Sequence, residues 1–85
     1  MVINPADVVI SKAGRDKGKT FIVLSLENEQ FAYIADGGLR KISKPKKKKL
    51  KHLKLTGKKA DFALLKMQNG EEITNRELKK FLREL

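Results

Sequence analysis

The feature that most constrains this chain is a twenty-residue window without a single acid. Residues 40 to 59 read RKISKPKKKKLKHLKLTGKK and hold eleven Lys or Arg. Elsewhere nine cations face all ten acids, so the window carries +11 and the rest of the chain −1. With 85 residues there is room for one modest domain, which must fold while nearly a quarter of its length repels itself. A polyanion relieves that repulsion. Phosphate backbones are the commonest such partner, because each Lys or Arg contact releases condensed counterions. A solvated surface or a localisation tag is the blander reading, and polyanion binding is preferred to it.

The composition excludes several other functions. There is no Cys, hence no disulfide and no thiolate metal site, and His52 is the only histidine. No metal and no cofactor are expected. No apolar run approaches the ~20 residues of a membrane span. The start, MVINPADVVI, lacks the basic and apolar regions of a signal peptide. A cytoplasmic protein without a membrane partner is therefore expected. Catalysis is not: GRDKGK lacks the spacing of a phosphate-binding nucleotide loop. The carboxylates Asp36, Asp61, Glu71 and Glu72 are scattered rather than clustered for Mg²⁺.

The first half reads as strands over residues 8–10, 20–26, 31–35 and 39–42, with Asp36-Gly37-Gly38 as a tight turn. Alternation puts Phe21 and Val23 on one face, and Ile22 and Leu24 on the other. Phe31 and Tyr33 share a face. Four adjacent like charges favour an extended solvated loop over residues 46–49. Leu53 and Leu55 alternate with Lys54 in a closing strand over 50–55, ended by Gly57, Lys58 and Lys59. Short strands at such close spacing predict a mainly β fold, a small antiparallel barrel, over residues 1–59. Its core is expected to hold Phe21, Val23, Phe31, Tyr33, Ile34 and Leu53, closed by Phe81 and Leu82.

Residues 60–85 should add one or two helices packed on that barrel. Phe62, Leu65 and Met67 precede a helix stop at Asn69-Gly70, although this segment also reads as strand. The terminal helix is better specified. Thr74 and Glu77 form a capping box, Ile73 can staple against Leu78, and Leu78, Phe81, Leu82 and Leu85 make one stripe. Arg76, Lys79, Lys80 and Arg83 then read as a solvated face.

Between the first two strands lies a basic glycine loop. Gly14 and Gly18 let the backbone turn sharply, while Lys12, Arg15, Lys17 and Lys19 supply charge and Asp16 fixes the turn through its side chain. This strand, loop and strand over residues 8–23 resembles the KOW motif of ribosomal proteins and of transcription elongation factors of the NusG type. The later stretch Lys51-His52-Leu53-Lys54-Leu55-Thr56 resembles the K-H-L-x-x-T ending of the KOW domain in the eukaryotic-type large-subunit ribosomal protein fourteen family. Small bacterial RNA-binding relatives of that family are the nearest likeness. The resemblance implies an SH3-like barrel, RNA binding and no enzymatic activity.

The expected partner is structured RNA, ribosomal RNA of the large subunit foremost, bound by a chain that is a monomer when free. The loop residues Lys12, Gly14, Arg15, Lys17, Gly18 and Lys19 should form one continuous surface with the basic window. From the window, Arg40, Lys41, Lys44 and Lys46 are candidates for RNA contact. So are Lys47, Lys48, Lys49, Lys51, His52 and Lys54, although His52 reads more as a packed residue. Arg15 and Arg40 can fork two bonds onto one phosphate, whereas the lysines act as point charges. With Tyr33 and the four Phe assigned to the core, a stacking platform for single strands is disfavoured. A protein-interaction module and a DNA-binding, transcription-associated KOW module remain the alternatives.

Overall fold

A computed structural model describes residues 2–85. Five strands form one antiparallel sheet: β1 (Asp7–Ser11), β2 (Thr20–Glu27), β3 (Phe31–Ala35), β4 (Lys46–Lys49) and β5 (Leu53–Lys59), in the order β4-β3-β2-β1-β5. A 3-10 turn, Leu50–His52, joins the two edge strands, and helices α1 (Asp61–Gln68) and α2 (Asn75–Arg83) follow. The sheet curls on itself. Lys48, on the β4 edge, reaches with its ammonium the carbonyl of Ala13, just past β1 (2.9 Å). This is the mainly β, barrel-like small fold with C-terminal helices that the strand spacing led us to expect.

Both faces of the sheet are covered, which is why β1 and the start of β2 read as unbroken apolar runs. Ile3, Val9, Phe21, Val23, Ala32, Ile34 and Leu53 fill the inside of the curl, with Leu50 and Leu55 against them. Ala6, Val8, Ile22, Ala35, Ala60, Ala63 and Leu78 form a second cluster between the sheet and the helices. Four of those seven are alanines, so α1 and α2 approach the strands closely. Phe81 and Leu82 pack there, half-buried, over the outer face rather than inside the barrel. Burying Phe21 alone contributes about 2–3 kcal/mol.

Four further expectations are corrected. Residues 46–49 are a strand, not a loop, because β3 offers its free edge and pleating separates the charges. Lys46 and Lys48 pair with Ile34 and Ala32 on the inner side, while Lys47 and Lys49 pair with Tyr33 and Phe31 on the outer side. Same-side lysines thus stand about 7 Å apart along the strand. Residues 39–42 are a loop, not a strand. Asp36 Oδ1 accepts the N–H groups of Gly38 (2.8 Å) and Arg40 (2.9 Å), capturing donors that a ladder would need. Phe31 and Tyr33 do share a face, but the outer one: Ala32 and Ile34 take the interior instead. β5 also runs on past Gly57 to Lys59, through an irregularity spanned by a bond from Thr56 Oγ1 to the carbonyl of Val8 (2.9 Å).

The helices follow the local signals. Residues 61–68 are helical, with Asn69 as the C-cap and Leu65 exposed. At α2 the capping box is complete: Glu77 N–H donates to Thr74 Oγ1 (3.1 Å) and Thr74 N–H donates to Glu77 Oε1 (3.0 Å). Lys66 ties the two helices by an ion pair to Glu77 (2.7 Å). The start of α2 also holds the loop after β3, since Asn75 Oδ1 accepts the N–H of Ile42 (2.8 Å).

Gly37 sits beneath that contact at φ +80°, and a Cβ there would lie 2.1 Å from the Asn75 carbonyl oxygen. Gly37→Ala should therefore destabilise the fold by more than about 1 kcal/mol. Gly38→Ala, whose Cβ would meet nothing closer than 3.8 Å, should not. Thermal melts of the two variants check this, and equal melting temperatures would refute the packing argument.

Candidate nucleic-acid interface

The basic glycine loop, residues 12 to 19, is an ordered structure closed on itself. Ser11 N–H donates to the carbonyl of Lys19 (3.0 Å) and Gly18 N–H to that of Ser11 (2.8 Å). Gly14 and Gly18 take φ of +77° and +87°, a region that side chains rarely tolerate. The loop's four cations, Lys12, Arg15, Lys17 and Lys19, are all exposed, and none has an ion-pair partner among the described residues.

Three contacts pin this loop to the basic window. Lys12 N–H donates to the carbonyl of His52 (2.8 Å), and Lys48 Nζ donates to that of Ala13. The third is a buried ion pair: Arg40 Nε (3.1 Å) and its terminal nitrogen (2.9 Å) both bind Asp16 Oδ2. The Asp16 side chain is 2% exposed and that of Arg40 28%. Asp16 thus fixes the loop through a partner 24 residues away, not through a bond within its own turn. Arg40 thus commits its Nε and one terminal nitrogen to Asp16. Asp16 Oδ1 has no hydrogen-bond partner among the described residues.

Other window cations are also engaged. Lys47 pairs with Glu27 (2.6 Å), and its ammonium stands 4.5 Å above the centre of the Phe31 ring. Tyr33 donates its hydroxyl to the same carboxylate (2.7 Å). The bond from Lys47, and then that from Tyr33, holds the Glu27 carboxyl below the usual carboxylate range. Glu27 in turn raises the Lys47 ammonium and the Tyr33 hydroxyl. Lys59 pairs with Asp7 (3.4 Å), and Lys41 reaches the carbonyl of Gly38 (3.4 Å). Lys44, Lys46, Lys49, Lys51 and Lys54 have no ion-pair partner among the described residues; all but half-buried Lys46 are exposed. His52 is half-buried and serves the loop through its backbone.

Two cations expected as part of a solvated helical face adjoin this surface. Lys79 and Arg83 of α2 line an open groove of about 550 Å³ together with Gly18 and Lys19. Their helical spacing alone marked them only as a polar face. No described cluster of three or more His, Cys, Asp or Glu is placed to hold a metal ion, and no described helix is long and apolar enough to cross a membrane.

Removing Arg40 would leave Asp16 buried with an uncompensated charge. Arg40→Ala should cost about 3 kcal/mol in denaturant unfolding, and Arg40→Ala with Asp16→Asn should recover part of it. Lys47→Ala, at a pair open to water, should cost far less. Equal costs for the two single variants would show that the buried pair does not organise the loop.

No protein-family model matches the chain, and no curated protein matches it.

Proposed function

We propose that this chain is an RNA-binding protein that holds structured RNA by its phosphates, with ribosomal RNA of the large subunit as the first candidate and no catalytic role. One observation carries the reading: four loop cations without ion-pair partners among the described residues are held by a hydrogen-bonded frame beside the unpaired lysines of the window. A frame set before binding spares the ordering entropy that flexible lysines would lose. The KOW-like loop and the K-H-L stretch support RNA over other polyanions, since they resemble a ribosomal family.

Duplex RNA hides its major groove and presents phosphates and 2′-hydroxyls, so a compact cationic surface reads its shape more than its sequence. Structured RNA should accordingly outcompete duplex DNA of equal charge. If six phosphates are contacted, the slope of log K against log salt should be roughly −4 to −5. A slope near zero would remove the electrostatic account, and preference for DNA would move the chain to the transcription-associated reading.

Within the surface, Arg15 should outweigh Lys47. Arg15 is exposed on the pinned loop, and its guanidinium can fork onto a phosphate or stack on a base. Lys47 is already neutralised by Glu27. Arg15→Lys, which keeps the charge, should lower RNA affinity more than Lys47→Ala, which removes one. Titrations on one structured RNA at fixed salt decide the point. The reverse order would mean that diffuse charge carries recognition and the loop is merely a turn.

A further inference from the structure

Phe31 is half-buried at the start of β3. It lies outside the barrel core, on the face it shares with Tyr33, Lys47 and Lys49. Beside it is a cavity of about 460 Å³, lined by Glu29, Gln30, Phe31, Lys49, Leu50 and Lys51. That volume lies in the range of small-ligand sites. We propose that the cavity receives one unpaired nucleotide of the bound RNA, the base against Phe31 and its phosphate between Lys49 and Lys51. The proposal rests on the RNA-binding reading above and adds to it a demand for a bulged or looped base.

The chemistry of the walls selects this occupant. Phe31 supplies an aromatic surface, and the Lys47 ammonium 4.5 Å from its centre holds the ring in place. Leu50 adds an aliphatic floor where it packs on the core. Gln30 carries both a donor and acceptors, and Glu29 acceptors, which suit the polar edge of a base. Lys49 and Lys51 are exposed, and neither meets an acid among the described residues. A flat group tied to an anion satisfies all of these at once.

The walls are also fixed in place and joined to the rest of the surface. Leu50 N–H donates to the carbonyl of Gln30 (2.8 Å), clamping the 3-10 turn to the hairpin between β2 and β3. At its other end that turn presents the His52 carbonyl to Lys12, the first residue of the basic loop. One strand of RNA can therefore pass from the loop along Lys51 to the cavity. A paired base cannot enter, because it is stacked inside its helix.

The test uses two hairpin RNAs of equal length and charge, one with a single bulged 2-aminopurine and one fully paired in the stem. The whole protein should bind the bulged RNA roughly tenfold more tightly, the effect of one stacked base. Binding should also change the 2-aminopurine fluorescence. Phe31→Leu should abolish the preference while leaving affinity for the paired hairpin unchanged. Lys51→Gln, an exposed change that leaves the fold intact, should reduce it. Equal binding of both hairpins, with no fluorescence change, would overturn the cavity's role and leave the RNA-binding reading standing. Failure to bind either hairpin would overturn both.

Discussion

The arrangement of this protein depends on one buried carboxylate and the guanidinium that answers it. Asp16 lies in the middle of a basic loop, almost wholly out of water, where an isolated charge would be costly. Arg40 compensates it, and Arg40 is where it is because Asp36 holds its backbone. That turn is held in its own right by Asn75 at the start of α2 and by the close approach of Gly37. Thr74 and Glu77 in turn fix where α2 begins. A helix cap near the end of the chain thereby helps to place a loop near its start, and the cationic surface inherits its geometry from a run of polar contacts rather than from the strands alone.

The two-sided sheet explains how so small a core tolerates so much charge. Inside the curl lie Phe21, Ile34, Val9 and Val23, and outside it four alanines make room for the helices. The edge strand places two lysines on each side. The inner pair, opposite Ile34 and Ala32, are half-buried, with the Lys48 ammonium satisfied at Ala13. Of the outer pair, Lys47 is matched by an acid and an aromatic ring, and Lys49 is left to solvent. The charge excess is thus graded, part of it structural and part of it available to a partner.

What could be read in the sequence was whatever has a local cause. The alternation in residues 20–24 and 53–55, the glycine turns, and the Thr74–Glu77 box all arise within a few residues, and the structure contains each. Period-two alternation placed Phe31 and Tyr33 together but carries no sign, so it could not say which face turns inward. Four lysines have no intrinsic reason to form a strand; β4 exists because β3 has an edge to pair with. Residues 39–42 looked like a strand, but Asp36 and Asn75, invisible to periodicity, capture the N–H groups of Arg40 and Ile42. In the candidate site the loop and its glycines were legible, while the partner of Asp16 and the cavity beside Phe31 depend on contacts between distant segments.

The all-lysine edge strand has a further consequence for how the molecules meet one another. An unpaired strand edge offers its backbone groups to any passing strand, which is the route by which β proteins polymerise. Here a second copy docking edge to edge would bring Lys46–Lys49 against the same four residues. Eight ammonium groups would then crowd into one short ladder. The sequence that looks least suited to a sheet therefore acts as its gatekeeper, letting the sheet end in water without growing.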